Sequence, residues 1–335
     1  MGLEPVRYGI ISTAGINEMI IQGARASETV SLIAVSSRDE TRAREYAREW
    51  GIERSYGSYQ AMLADPDLEA AYISLPNSLH VEWTLRALEA GKHVLVEKPI
   101  TRRPAEIDRI WDLAEARGLQ ATEAFSWRRT PQTARFKQLV EDGAIGTLQF
   151  VRSVFTFPMP DPETNVRMFP DLDGGALMDV GVYPLSGSRL LAGEPVRVYG
   201  EQVLGGHGVD VRFSGLMQFA GDVRALFCCS FETPLCQELE AIGSEGILRS
   251  LDPWHAGQGT IELLRGEERE RELIEVELGD GYRLELEDLA RAVRGEGRPL
   301  LGREDAMGQA RALAALYLSA DEGRPVELSE LDREV

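Results

Sequence analysis

Over roughly the first 120 residues, short apolar runs alternate with amphipathic stretches, the pattern of βαβ units wound around a parallel sheet. Val6 to Ile11 and Val30 to Val35 predict the first two strands. Between them Ile16, Met19, Ile20 and Ala24 recur at helical spacing, and Thr41 to Trp50 repeats the pattern after the second strand, so both segments read as crossover helices. Ala70 to Leu75 predicts a third buried strand, after which Asn77 caps a helix running through Ala90 and stopping at Gly91. Val94 to Val96 is the next strand. Pro104 then opens a helix that Gly118 closes, and Leu119 to Ala124 adds a further strand.

After Ala124 the texture changes. A helix over Pro131 to Glu141, a strand over Leu148 to Phe157 and a loop rich in Pro and Asp precede a helix introduced by Gly174-Gly175. Val196 to Val203, Val211 to Phe219, Val223 to Phe231, Glu238 to Ile242 and Thr260 to Leu264 alternate as strands of a sheet with one face buried against helices and another needing cover, in which Val211, Phe213, Leu216 and Phe219 are among the alternating apolar residues. Leu284 to Val293 and Glu304 to Ser319 predict two amphipathic C-terminal helices. The fold class is therefore α/β. A doubly wound Rossmann domain over residues 1–124 precedes an α+β domain over 125–335 with an open, mainly antiparallel sheet, and the C-terminal helices pack near the first domain.

Length supports two domains, since 335 residues exceed one typical core. A net charge of −19 speaks against nucleic acid and anionic membranes, which are bound through clustered Lys and Arg, and in favour of a small-molecule ligand. No apolar run approaches a membrane span, and Met1-Gly2-Leu3-Glu4-Pro5 lacks the features of a signal peptide, so the expected location is cytoplasmic. Cys228, Cys229 and Cys236 suggest no disulfide framework and read as buried small hydrophobes. His80, His93, His207 and His255 form no ligand spacing with them, so no metal site is expected.

Between the first strand and the first helix stands Ser12-Thr13-Ala14-Gly15-Ile16-Asn17, where a dinucleotide fold carries Gly-x-Gly-x-x-Gly or -Ala. Ser12, Ala14 and Asn17 replace the glycines, yet all are short enough for the backbone to approach a pyrophosphate at the helix N-terminus. The second strand ends in Ser36-Ser37-Arg38, where NAD-specific folds keep an acid for the ribose hydroxyl. An arginine there forms charge-assisted hydrogen bonds with a 2′-phosphate, which points to NADP rather than NAD. The alternative leaves Arg38 in solvent and gives the ribose contact to Asp39. Leu75-Pro76-Asn77 ends the next strand and is placed to line the nicotinamide ribose, with a plain turn and helix cap as its structural alternative.

Glu97-Lys98-Pro99 ends the apolar run from His93 to Val96, so Lys98 projects from the carboxyl end of a parallel strand, where open α/β sheets hold ligands. In the second half, Asp179 and Tyr183 stand four apart after Gly174-Gly175 and share a face if that segment is helical. Pro184 follows directly, so the helix restarts there. Each residue also has a structural alternative: a strand-end charge, a helix-start charge and a half-buried aromatic.

Taken together, Gly9-Ile10-Ile11-Ser12-Thr13-Ala14, Leu75-Pro76-Asn77 with His80, Glu97-Lys98-Pro99, Glu123-Ala124-Phe125 with Trp127-Arg128 and the segment ending at Tyr183 resemble the glucose-fructose oxidoreductase / inositol dehydrogenase / MocA family over essentially the whole chain. Glu123-Ala124-Phe125, Pro131-Gln132 and Asn165-Val166-Arg167 look like its branch of NADP-dependent D-xylose dehydrogenases and dimeric dihydrodiol dehydrogenases. The resemblance implies an NADP-dependent dehydrogenase acting on a sugar or cyclic polyol, with Lys98, Asp179 and Tyr183 as its catalytic residues. It adds Asn165 and Arg167 as substrate contacts, and Ser37, His80, Glu97, Trp127, Arg128 and Tyr282 to the cofactor set of Ser12, Thr13, Ala14, Ile16, Asn17, Arg38, Leu75, Pro76, Asn77 and Lys98. It also implies pairing through the open sheet as a homodimer or a dimer of dimers. Competing expectations are a dinucleotide-binding sensor without turnover, and an enzyme whose cofactor stays bound for sugar-to-sugar exchange or redox-assisted glycoside cleavage.

Overall fold

The computed structural model describes residues 4–255, 257–266 and 270–333. The chain divides into two compact units, Met1–Ser126 with Asp280–Met307, and Trp127–Gly279 with Gly308–Val335. In the first unit β1 (Val6–Ile11), α1 (Asn17–Arg25), β2 (Val30–Ser36), α2 (Glu40–Trp50), β3 (Arg54–Tyr56), α3 (Tyr59–Leu63), β4 (Ala70–Ile73), α4 (His80–Glu89), β5 (His93–Glu97), α5 (Pro104–Ala116) and β6 (Ala121–Ala124) follow in turn. The strands form a parallel sheet of order β3-β2-β1-β4-β5-β6. The order reverses between β1 and β4, and ligands of such sheets bind outside the strand carboxyl ends at that point. Tyr8, Ile10, Tyr72, Leu95 and Ala124 pack one face of the sheet against Ile20, Ile21, Leu286 and Leu289.

Three elements here differ from expectation. The edge strand β3 is three half-buried residues at the sheet margin without an apolar run, and α3 is a helix of only five residues, too short to show a period. Asn77 does not cap the α-helix directly. Asn77–Leu79 forms a 3-10 turn behind Pro76, and the α-helix starts at His80.

The second unit contains α6 (Pro131–Glu141), β7 (Leu148–Thr156), α7 (Val182–Ala192), β8 (Pro195–Leu204), β9 (Asp210–Phe219), β10 (Arg224–Ser230), β11 (Cys236–Gly243), β12 (Gly246–Ser250), β13 (Thr260–Arg265) and β14 (Glu270–Glu275). Then α8 (Gly281–Val293) belongs to the first unit, α9 (Arg303–Glu322) begins there and continues in the second, and β15 (Val326–Glu327) closes the second sheet. That sheet has the order β14-β13-β12-β11-β7-β10-β9-β8-β15, antiparallel throughout except for the β7–β10 pair. Val211, Phe213, Met217 and Phe219 of β9 face the covered side, on which α7 lies. Leu216 does not join them. It stands on the opposite parity of the strand and is 43% exposed, beside Leu226, its partner across β10. Of the cysteines only Cys229 is buried; Cys228 and Cys236 are exposed, which corrects the expectation for those two. Among the described residues no helix is long and apolar enough to cross a membrane.

Candidate active site

In the first unit the loop after β1 turns on Ser12, whose φ is +123°, a backbone conformation that glycine adopts readily and other residues seldom do. The hydroxyl offsets part of that strain. It lies 2.8 Å from Ser74 Oγ and accepts the Ala14 amide at 3.1 Å. Asn17, fully buried, donates to the Ser12 carbonyl and accepts from Ser74 Oγ at 2.6 Å, so its side chain pins the loop from behind. Among the described residues the amides of Thr13, Gly15 and Ile16 take no protein acceptor, and a Cβ on Gly15 would meet nothing within 4 Å. An open surface of amides before the N-terminus of α1 suits a pyrophosphate.

At the end of β2, Asp39 caps α2 by accepting the Arg42 amide at 3.1 Å. Its carboxylate is thereby committed to the helix, which disfavours the alternative in which it holds a ribose. Ser37 Oγ accepts the Asp39 amide. Arg38 and Arg42 are both exposed, and both reach Tyr59, whose phenol burial pushes up against their pull. Arg42 also donates to the Thr13 carbonyl at 3.5 Å, bringing a second guanidinium to the loop. Sequence reasoning passed over Arg42, although its spacing from Arg38, four residues later in the first turn of α2, was the available signal. Two guanidinium groups beside one loop fit the 2′-phosphate of NADP.

The loops after β4 and β5 are tied together by His80. Its ring is buried, with Nδ1 2.8 Å from the Pro99 carbonyl oxygen and Nε2 2.7 Å from that of Leu75. Pro76 and Asn77 are half-buried between these anchors, and the Lys98-Pro99 peptide is cis. Glu123, buried at the end of β6, accepts the Ile100 amide at 2.9 Å and so fixes the far side of the turn that carries Lys98. Tyr282 opens α8 behind its cap Asp280 and lies half-buried near Tyr72.

The second unit holds the other candidates. Trp127 is buried edge-on against Trp254, ring centroids 5.0 Å apart, and Arg128 stacks over Trp127 while donating to Ser186 Oγ at 3.0 Å. Asn165 caps the 3-10 turn Val166–Met168 by accepting the Arg167 amide. Arg167 then pairs through Nε with Asp179 Oδ2 at 2.8 Å. The Gly174-Gly175 pair follows from close approach. A Cβ on Gly174 would stand 2.3 Å from the Arg167 carbonyl oxygen, and one on Gly175, at φ +123°, would stand 2.1 Å from Asp210 Oδ1. Asp210, a residue that sequence reasoning did not single out, is buried in β9, takes the Leu177 amide at 2.7 Å and accepts from the Tyr317 hydroxyl at 2.9 Å. No local pattern marks it, because its partners lie far away in sequence.

The helix does not restart at Pro184. Leu177–Gly181 forms a π turn, and α7 begins at Val182, so the proline falls in the first turn of the new helix, where its missing N–H is tolerated. Asp179 is buried within the π turn. Tyr183, half-buried at the start of α7, sits edge-on to Phe155 at 5.2 Å and 5.8 Å from Trp254. The structure thus gathers Arg167, Asp179 and Tyr183 around one irregular helix start in the second unit, which also holds Trp127 and Arg128, and places Ser12, Arg38, Asn77 and Lys98 at or just beyond strand ends of the first.

A model of an oxidoreductase family with an NAD-binding Rossmann fold matches residues 6–125, and the model of the GFO/IDH/MocA C-terminal domain matches residues 133–249. The chain is 39% identical over 324 residues to an NADP(+) D-xylose 1-dehydrogenase of Haloferax volcanii, covering 96% of this chain and 99% of that one. It is 34% identical to a trans-1,2-dihydrobenzene-1,2-diol dehydrogenase of Oryctolagus cuniculus, covering 74% of each. A 3-ketoreductase of Actinomadura kijaniata, solved with NADP and TDP-benzene, superposes with a TM-score of 0.88 at 30% identity, covering 94% of this chain and 98% of the other.

Proposed function

The chain belongs to the GFO/IDH/MocA oxidoreductase family, and from that premise we propose that it oxidises the hydroxyl of a free aldose with NADP, Tyr183 acting as acid and base. It is an NADP-dependent oxidoreductase working at CH–OH carbons of a sugar or polyol. The observation that carries the catalytic reading is the irregular helix start that sets the Tyr183 phenol on an aromatic bed, one turn from the Arg167–Asp179 ion pair. A D-xylose dehydrogenase similar over nearly the full length of both chains supports an aldose. The loop between β7 and the π turn adds to this: it carries Asp161, Glu163, Asp171 and Asp173 against Arg167, a charge balance unsuited to a nucleotide-linked sugar.

The amides of Thr13, Gly15 and Ile16 would hold the pyrophosphate of NADP, and Arg38 with Arg42 its 2′-phosphate. When bound, the nicotinamide supplies the hydride acceptor. An unperturbed phenol, with a pKa of about 10, is a weak base at neutral pH, and the Lys98 ammonium stabilises both its phenolate and the alkoxide that develops as the Tyr183 oxygen takes the hydroxyl proton. Asp179, oriented by Arg167, accepts a hydrogen bond from a neighbouring hydroxyl of the sugar. In reduction the same tyrosine returns the proton.

The uncovered face of the second sheet bears Phe150, Leu216 and Leu226 beside an ion ladder of Arg152, Glu240, Arg249 and Glu262, and a second copy of the chain is the partner assigned to it. Sedimentation at micromolar concentration checks this assignment, a dimer or tetramer being expected and a monomer withdrawing it. Turnover is tested with a panel of aldoses and trans-diols, followed by the absorbance of the reduced cofactor. Aldose oxidation with NADP well ahead of NAD is expected. Oxidation confined to the diols would move the substrate class, and inertness towards the whole panel would withdraw the reading.

A further inference from the structure

Tyr72 is fully buried in β4, and its hydroxyl donates to Glu97 Oε1 at 2.6 Å across to the end of β5. The other carboxylate oxygen accepts the backbone N–H of Lys98 at 3.3 Å. Glu97 is thus gripped at both oxygens, one from the core and one from the peptide that launches the lysine. Burial first, and then the charge of Glu97, with Glu285 and Tyr282 adding to it, push the Tyr72 phenol well above its ordinary range. The group therefore stays a donor, and the bond has one direction, from hydroxyl to carboxylate, the stronger kind. The bland role of a central strand tyrosine is packing, and its ring does fill the core beside Leu95. A ring alone needs no hydroxyl. A buried hydroxyl aimed at the half-buried carboxylate that precedes Lys98 calls for a further explanation.

We propose that Tyr72 is a positioning residue for hydride transfer: its hydroxyl holds Glu97 oriented, and Glu97 sets the strand-end peptide from which Lys98 reaches the reacting hydroxyl. This rests on the reading of Lys98 given above. It extends the site one layer into the sheet, along a path of two hydrogen bonds.

Tyr72→Phe removes one oxygen and keeps the ring. The expected result is a fall in kcat of about tenfold, the lower end for a hydrogen bond to a charged group, with KM for NADP changed less than about twofold. The basic-side rise of the oxidation rate should also move to higher pH, because a displaced ammonium favours the Tyr183 phenolate less. Glu97→Gln interrupts the same path from its half-buried end and should move the profile the same way. The double variant should be no slower than the slower single one. A packing defect would lower the folded fraction and leave the profile in place, so an unmoved profile in both variants, or losses that multiply, overturns the proposal. Lys98→Met measured alongside separates this inference from its premise. Normal turnover in that variant would remove the lysine's role and the proposal with it, whereas a crippled Lys98→Met beside unmoved Tyr72→Phe and Glu97→Gln profiles would remove only the role of Tyr72.

Discussion

Ser12 in the first unit and Gly175 in the second share a φ of +123°, yet one carries a side chain and the other does not. At Ser12 the hydroxyl is used, bonding Ser74 and the Ala14 amide at the turn before α1. At Gly175 the space of a Cβ is already taken by Asp210 Oδ1, the carboxylate that receives the first amide of the π turn. The same φ thus goes with hydrogen bonds from a residue's own side chain in one place and with a remote carboxylate packed against a glycine in the other. The difference matches the two tasks proposed for these places. A phosphate loop must present amides outward and leave its surface open, whereas a helix start that aims Asp179 and Tyr183 must be gripped from within.

The largest effect should come from the chemistry this grip serves. Tyr183→Phe should cut turnover by about 10² to 10⁴, with NADP binding nearly unchanged by titration of the fluorescence of the reduced cofactor. Next comes the grip itself. Gly175→Ala combines a left-handed backbone with a Cβ against Asp210, which should cost about 2 to 5 kcal/mol in denaturant melts. Whatever folds should lose kcat more than cofactor affinity. Arg38→Ala should weaken NADP by about 1.5 to 3 kcal/mol and leave NAD almost untouched, and Arg42→Ala should act in the same direction. Equal losses for both cofactors would assign Arg38 to the adenine instead. Ser12→Gly should change stability by less than about 1 kcal/mol, since relief of strain and loss of the hydroxyl's bonds oppose each other. A loss as large as that of Gly175→Ala would break the comparison.

Much of this was legible in the pattern. Val6–Ile11 and Pro131–Glu141 coincide with their expected limits, the first because a buried parallel strand is continuously apolar, the second because Pro131 follows a Thr130 side chain that caps the helix. Where burial is partial the signal fades. β3 is half-buried throughout, and β14 is the mostly charged edge segment Glu270–Glu275, so neither carries a hydrophobic period. Which face Leu216 takes could not be read from its residue type, because an apolar residue on an exposed sheet surface is chemically indistinguishable from one in the core. The positions of Lys98, Asp179 and Tyr183 stood out as residue types at element ends. Asp210 and Tyr72, the residues that hold those ends in place, sit inside strands and gain meaning only through partners distant in sequence. Supporting residues are harder to read than the groups they support, since periodicity reports which face is buried and says nothing of which buried polar atoms meet.

The central claim is that Lys98 and Tyr183 work as one acid/base unit, and its most direct test is a pH–rate profile of aldose oxidation for the wild type, Lys98→Met, Tyr183→Phe and the double variant. If the lysine acts by favouring the tyrosinate, the double substitution should cost far less than the product of the two single losses, and Lys98→Met should move the basic-side rise to higher pH. Fully multiplicative losses with an unmoved profile would contradict the unit, and near-normal turnover by Tyr183→Phe would take the acid/base role from the tyrosine.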